Sequence, residues 1–350
     1  MKNIAILGAG GIGAQHAAAL LNLPEDWRLS HVCDIYAENA RSLGQKTGAD
    51  TASLDAVLEN PDIDVVDICL PPALHVRIAL RALAAGKHVV CEKPIAGSIA
   101  DVDRLRQAER DSGKRVFPVF QYRYGPAFRR LRDLAEAGHL GTPRVATLET
   151  HWSRDAGYYA VPWRGTWSHE MGGAILSHAI HIHDLAAQLC GKITSVAALT
   201  DTMINPIETE DCAAIAMRTD RGALVTSSIT LGAATDESRL RVVFEKATVE
   251  SARNPYTPGE ADWTVTARDP ALQEVLDNAV ARPGSDGFKG YFADVAAALA
   301  GADNRAVTLE DGAASIELVT AIYHSARTGA QVALPLPQIH PMYHGWAPNA

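Results

Sequence analysis

No stretch of this chain approaches the roughly 20 unbroken apolar residues that a membrane-spanning helix needs, so no helical membrane anchor is expected. Basic charge is not in surplus. The 32 Lys and Arg against 41 Asp and Glu leave a formal net charge of −9, the wrong sign for neutralising phosphates, and nucleic acid is not an expected partner. Cysteine is scarce: five residues, an odd number, with Cys33, Cys69 and Cys91 in apolar strand-like runs. They read as reduced core residues of a cytoplasmic protein, not as disulfides or metal ligands. A secretory leader is not expected either, because a strand-like run begins at Asn3 and leaves no room for one. Low-complexity tracts and internal repeats are missing. What remains is ordinary globular composition, 47% hydrophobic and 21% charged, at a length of 350 residues that suits two domains.

The most informative stretch comes first. The apolar run Ile4-Ala5-Ile6-Leu7 breaks into Gly8-Ala9-Gly10-Gly11-Ile12-Gly13 and then enters a helical pattern. A strand that breaks into glycines before a helix is how a chain holds a dinucleotide. Gly8 allows the tight turn, Gly10 lets the backbone approach a pyrophosphate, and Gly13 lets the helix pack close to the strand. The free N–H groups and the dipole of that helix then face the phosphates, with Gly11 and Ile12 in its first turn. The motif also requires an acidic residue about 20 residues on. Trp27 to Cys33 reads as a second strand and ends at Asp34. A carboxylate there accepts ribose hydroxyls and repels a 2′-phosphate. Ile35 and Tyr36 follow, not a Ser or Arg that could grip a phosphate, so NAD is the expected cofactor in preference to NADP.

Strand-like and helical runs alternate through the first third. Ile63 to Leu70 stops at Pro71-Pro72, Lys87 to Cys91 ends at Glu92-Lys93-Pro94, and Arg115 to Phe120 precedes Gln121. Alternating β and α with short links implies a parallel sheet covered on both faces, with ligands beyond the carboxyl ends of its strands. Gly13, Asp34, Pro71, Lys93 and Gln121 all fall at those ends. The cofactor edge is therefore expected to include Ile35, Leu70, Pro71, His75, Glu92, Lys93 and Gln121 beside the glycines. After about residue 122 the rhythm changes to β-rich runs joined by short turns, among them Arg144 to His151, Ser195 to Asp201, Cys212 to Arg218 and Gly222 to Leu231. The expectation is an α/β chain. Residues 1–121 form a Rossmann-type doubly wound parallel sheet. Residues 122–333 form an α/β domain with a mostly antiparallel open sheet, used for substrate binding and oligomerisation, and a tail follows at 334–350.

Two segments carry candidate chemistry. Lys93 follows a strand and precedes a proline, which restricts its backbone. A lysine there can hydrogen-bond a substrate hydroxyl and stabilise alkoxide character as hydride leaves. The second segment is Gly172 to Asp184, glycines followed by a helical run holding His178, His181 and His183. His178 and His181 are at i and i+3 and are expected to share a face, while His183 lies about 200° round from His181. A neutral imidazole is a suitable base for an alcohol proton at cellular pH. Metal-binding helices place histidines at i and i+4; the spacings here are three and two, so no metal is expected. Arg154, Tyr158, Tyr159, Trp163, Arg164 and Trp167 form an aromatic and basic stretch just before the glycines. It could cover a nicotinamide and stack on a sugar-like ring.

Together these segments resemble the Gfo/Idh/MocA oxidoreductases. The resemblance runs through the glycine turn, Asp67-Ile68-Cys69-Leu70-Pro71-Pro72 with His75, Glu92-Lys93-Pro94, and Gln121-Tyr122-Arg123-Tyr124. It continues through Trp163-Arg164, Gly172 to Asp184, and Ala321 to Gly329. It implies NAD(P)-linked oxidation of a hydroxyl on a sugar, cyclitol or derivative, with Lys93 and His181 as the catalytic pair. Tyr122, Arg123, Tyr158, Arg164, Ser177 and His178 are then expected at the substrate, and Trp163 and Arg164 at the cofactor. It also implies a homodimer or homotetramer built on the open sheet. Ser177 departs from the pattern, since many members carry an aspartate four residues before the histidine; His178 is expected to take part of that role. Phe244-Glu245-Lys246-Ala247, where a glycine-bearing turn is common, is expected to matter little. Two rival readings use the same parts: a glycosidase or dehydratase that oxidises and re-reduces its substrate with bound NAD, and a non-catalytic NAD sensor.

Overall fold

The computed structural model describes residues 1–279 and 284–348. Two compact units divide the chain: Met1–Gln121 with Phe288–Ala314, and Tyr122–Gly287 with Ser315–Ala350. In the first unit, β1 (Lys2–Leu7), β2 (Trp27–Cys33), β3 (Asp50–Thr51), β4 (Val65–Ile68), β5 (His88–Cys91) and β6 (Val116–Pro118) form one sheet ordered β3-β2-β1-β4-β5-β6. Every pairing is parallel. The strand order reverses between β1 and β4, which is where a doubly wound sheet opens a ligand crevice. The central strands carry no polar alternation, because helices cover both faces; all four residues of β4 are buried. The connecting helices are α1 (Gly11–Leu21), α2 (Ala37–Thr47), α3 (Leu54–Glu59), α4 (His75–Ala84) and α5 (Ile99–Ser112). Ser53 and Ser98 cap α3 and α5 by accepting from the Ala56 and Asp101 backbone N–H groups.

The second unit begins with α6 (Pro126–Glu136) and holds β7 (Pro143–Ser153), α7 (Ile180–Cys190), β8 (Ile193–Asp201), β9 (Cys212–Thr219), β10 (Leu224–Thr230), β11 (Gly232–Phe244), β12 (Ala247–Glu250), β13 (Thr264–Ala267) and α8 (Pro270–Asn278). Then come α9 (Gly287–Leu299), α10 (Leu309–Thr328) and β14 (Val332–Ala333). The sheet order is β13-β12-β11-β7-β10-β9-β8-β14, antiparallel except for β7 beside β10. Its strands alternate buried and exposed residues. Val196, Ile215, Val225 and Leu240 face the core, whereas Leu199, Ala214, Ala216 and Leu224 are open to solvent. One face is thus packed and the other uncovered, as expected for an antiparallel sheet.

The chain re-enters the first unit inside the range expected for the second domain. On α9, Tyr291 donates its hydroxyl to the Phe117 carbonyl at 2.7 Å, and the Phe292 carbonyl accepts the Trp27 indole N–H at 3.0 Å. The tail is also not a loose extension: Trp346 is 1% exposed, stacks on Tyr323 and donates its indole N–H to the Met171 carbonyl at 2.6 Å. The tail's last two positions, 349 and 350, lie outside the described residues. Among the described residues no helix is long and apolar enough to cross a membrane.

Candidate active site

The first unit presents the glycine turn between β1 and α1. Gly8 has φ +102°, and a Cβ there would stand 2.3 Å from the Cys69 carbonyl oxygen; one on Gly13 would stand 2.0 Å from the Gly8 carbonyl oxygen. Only glycine fits at either place. Gly10 and Gly11 differ, since a Cβ on them would meet nothing within 4 Å. The space beside them is open, and α1 starts there with no side-chain cap and no acidic residue in its first turn. Its backbone N–H groups are therefore presented to an anion. Asp34 is locked onto the same turn. One carboxylate oxygen accepts the Ala9 N–H at 2.7 Å and the other the Tyr36 N–H at 2.8 Å. Ile12, Ile35 and Tyr36 are exposed around it, apolar surface of the kind that flanks an adenine ring. At the far end of the sheet, the buried Gln121 side-chain oxygen has no hydrogen-bond partner among the described residues, an acceptor site ready for a ligand donor. These features fit a dinucleotide.

His75 and Glu92, both expected at the cofactor, have structural partners. The His75 ring is buried and spans the Pro94 and Leu70 carbonyls, each at 2.7 Å, so it ties the end of β4 to the segment after β5. Burial lowers its pKa, opposed by those carbonyls. Glu92 is held by His16, which sequence reasoning overlooked. The His16 ring is fully buried, with Nδ1 2.9 Å from Asp67 and Nε2 3.2 Å from Glu92. Burial alone would lower the His16 pKa, but Asp67 and Cys69 raise it well above the ordinary value, so it stays protonated between two carboxylates. Glu92 in turn accepts the Lys93 backbone N–H at 3.1 Å. An Asp67–His16–Glu92 chain therefore fixes the main chain that carries Lys93. The His16, Asp67 and Cys69 atoms lie close enough together to suggest a metal, but they are already engaged with one another by hydrogen bonds.

In the second unit the histidine helix is not the uniform α-helix expected. Ile175–Ala179 is a π-turn that leads into α7, and the 3.6-residue spacing does not apply across it. The three histidine rings meet different neighbours. His181 stacks on Tyr122, with ring centres 4.3 Å apart. His178 packs edge-on to Trp152 at 5.0 Å, its Nδ1 lies 2.6 Å from the Ser177 hydroxyl, and its Nε2 lies 3.4 Å from the Tyr158 hydroxyl. Ser177 itself donates to the Gly173 carbonyl at 2.7 Å. His183 faces the other way, as expected: its Nε2 meets the Ser227 hydroxyl at 2.9 Å on β10, and burial pushes its pKa down to about 4. Arg123, expected at the substrate, makes a buried two-pronged ion pair with Asp184 of α7, at 2.7 and 2.5 Å. Around Tyr158 lie two arginines. Arg154 is paired with Asp236 and bonded to Tyr256, and the Arg164 guanidinium sits 3.7 Å from the Tyr158 ring centre and 4.9 Å from that of Trp163.

The start of the π-turn is capped by Glu210, a buried carboxylate that no motif in the sequence flags. It accepts the Gly173 and Ile175 N–H groups at 3.0 Å each and the Tyr323 hydroxyl at 2.9 Å. Burial pushes its pKa up to about 7 despite those donors. Because the folded value lies above the unfolded one, the native state binds the extra proton. This contribution to stability is full below about pH 4.5 and is lost as pH rises through 7, up to about 3 kcal/mol in all. Glu210→Gln is therefore expected to lose less stability between pH 5 and pH 8 than the parent does. Urea unfolding at the two pH values checks this; equal losses in both proteins would refute it.

Residues 2–120 match the model of the oxidoreductase family with an NAD-binding Rossmann fold, and residues 128–250 match the GFO/IDH/MocA C-terminal domain. The chain belongs to the Gfo/Idh/MocA oxidoreductase family. It is 29% identical to myo-inositol 2-dehydrogenase of Thermotoga maritima over 63% of its own length and 66% of the relative's. It is 30% identical to levoglucosan dehydrogenase of Pseudarthrobacter phenanthrenivorans over 63% and 59%. The chain thus matches less than two-thirds of the length of these curated relatives. Over its full fold it resembles the WlbA dehydrogenase of Bordetella pertussis, solved with NADH and UDP-GlcNAcA. The TM-score is 0.84 at 29% identity, covering 96% of this Gfo/Idh/MocA chain and 99% of that one.

Proposed function

We propose that this protein is a dehydrogenase that oxidises a hydroxyl-bearing carbon of a monosaccharide, cyclitol or sugar derivative, with NAD as the preferred cofactor. The observation that carries the reading is Asp34, pinned by the Ala9 N–H against an open helix N-terminus at the point where the strand order reverses. Its carboxylate suits two ribose hydroxyls and opposes a third phosphate. Arg41, the nearby basic residue, turns its Nε to the Ala37 carbonyl of its own helix. Gly8, Gly10, Gly11, Ile12 and Gly13 would hold the pyrophosphate side of the cofactor, and Gln121 a donor nearer its reactive end. When bound, NAD supplies the hydride-accepting carbon.

The chain's own residues do the rest. His181, steadied by stacking on Tyr122, accepts the hydroxyl proton, and the Lys93 ammonium holds the oxygen as it gains negative charge. His178, Ser177 and Tyr158 form a linked polar set for sugar hydroxyls. The WlbA and levoglucosan relatives, named for sugar chemistry, support this substrate class.

The test is a panel of aldoses, sugar acids and cyclitols, assayed at 340 nm with NAD and NADP in parallel. At least one compound is expected to give steady NADH formation; consumption without any reduced cofactor would overturn the reading. Asp34→Ala is expected to lower kcat/KM for NAD about 10- to 100-fold, the weight of charge-assisted hydrogen bonds, and to narrow the gap to NADP. An unchanged NAD-to-NADP ratio would remove Asp34 from cofactor choice.

A further inference from the structure

Among the described residues, Met171 is the one non-glycine residue with a positive φ, +68°. For a bulky side chain this left-handed conformation is rare and strained, and it persists only where neighbours hold it. The place matters. Met171 stands directly before Gly172 and Gly173, and the π-turn at Ile175–Ala179 begins just after them. Glu210 fixes the downstream side of this segment. Its carboxylate takes the Gly173 and Ile175 N–H groups, and its backbone carbonyl takes that of Ala174 at 2.9 Å. The same carbonyl oxygen would stand 1.8 Å from a Cβ on Gly173, so the two chains are in close contact there.

The upstream side is held from the tail. Buried Trp346 donates its indole N–H to the Met171 carbonyl at 2.6 Å, and its ring stacks on Tyr323 with centres 5.7 Å apart. The Tyr323 hydroxyl in turn accepts the Gly173 N–H at 3.3 Å and donates to Glu210 at 2.9 Å. Trp346 therefore grips the segment twice, at Met171 directly and at Gly173 through Tyr323. Its own carbonyl is held by the Arg327 guanidinium of α10. Without the indole donor, the Met171 carbonyl loses its hydrogen bond and φ loses the contact that opposes its return to the ordinary negative range. That return would swing the peptide planes on both sides, at the entrance to a π-turn whose extra residue depends on local constraint. Ser177 and His178 lie in that turn, and His181 follows on α7.

We infer that Trp346 is a positioning residue of the active site: by holding the Met171 carbonyl, the tail keeps the chain in the left-handed turn from which the π-turn presents Ser177, His178 and His181. The inference rests on the dehydrogenase reading for its effect on turnover, and on geometry alone for its effect on the histidine rings.

The test compares Trp346→Phe, which keeps a ring against Tyr323 and removes the N–H, with the same change in a Met171→Gly background. Glycine adopts a positive φ without strain, so it makes the turn independent of the indole. With a panel sugar and NAD, Trp346→Phe is expected to lower kcat about tenfold or more while NADH affinity, read by fluorescence titration, stays unchanged. In the Met171→Gly background the same change is expected to lower kcat less than about threefold, because the two residues act as one unit. Equal losses in both backgrounds, or a loss of NADH affinity that matches the loss in kcat, would overturn the proposal. Histidine ring NMR signals, assigned with His178→Gln and His181→Asn, give a readout that needs no turnover. Both signals are expected to move in Trp346→Phe and to return in the double variant. If no panel compound reduces NAD, the dehydrogenase reading fails and the ring signals still decide the positioning role. A lowered urea midpoint with kcat and ring signals unmoved would assign Trp346 to stability alone and overturn the inference. Should Trp346→Phe by itself not fold, recovery of folding and of the ring signals in the double variant supports the inference, and failure of both variants overturns it.

Discussion

Lys93→Met is expected to reduce kcat about a thousandfold while leaving NADH binding in place, and His181→Asn to reduce it at least a hundredfold. Both figures fall in the range for a positioned proton-transfer or charge-stabilising group. The two substitutions are informative because the backbone under each side chain is held by other groups. The backbone at Lys93 is fixed by its own N–H to Glu92, and Glu92 is fixed by His16. The helix under His181 is anchored by Glu210 at its start and by Asp184 one turn on. Steady-state turnover with fluorescence titration of NADH separates chemistry from binding. Turnover within threefold of the parent in Lys93→Met would remove the lysine from the reaction.

Arg123→Met is expected to have the largest effect on stability. The ion pair with Asp184 is almost fully buried, at 5% and 6% side-chain exposure. Removing one partner strands the other charge in the interior, at a cost of about 3–5 kcal/mol. A buried pair of this kind is far less costly to replace as a unit, so the double variant Arg123→Met/Asp184→Leu is expected to recover more than half of the loss. Urea unfolding of the two single variants and the double variant measures this. A loss below about 1 kcal/mol in Arg123→Met would mean that the pair is hydrated and weakly coupled.

Much of this fold is legible in the residues, and the reasons are physical. Glycines at a strand-to-helix turn have so few structural uses that Gly8 and Gly13 announce their close contacts directly, and the parallel sheet follows from apolar runs with no polar alternation. Three features were hidden. His16 sits on an alanine- and leucine-rich helix, and nothing in its neighbours signals that Asp67 and Glu92, distant in sequence, converge on it. The π-turn at Ile175–Ala179 has no compositional mark, so nothing in the sequence shows that the run from His178 to His181 is not regular α-helix. Glu210 caps that turn from the segment just before β9, a tertiary contact that periodicity cannot encode. Arg123 shows the converse. A motif resemblance placed it at the substrate, and the structure pairs it with Asp184, a carboxylate distant in sequence.

The most direct test of the central claim follows the hydride. A panel substrate deuterated at its hydroxyl-bearing carbons is incubated with NAD and the purified protein, and the nicotinamide is analysed by mass spectrometry. The account predicts one deuterium in the reduced cofactor for each molecule of carbonyl product, with NADH accumulating as substrate is consumed. Product formed without NADH, its deuterium returned to carbon, would contradict a net dehydrogenase and identify a reaction in which the cofactor is oxidised and reduced within one turnover.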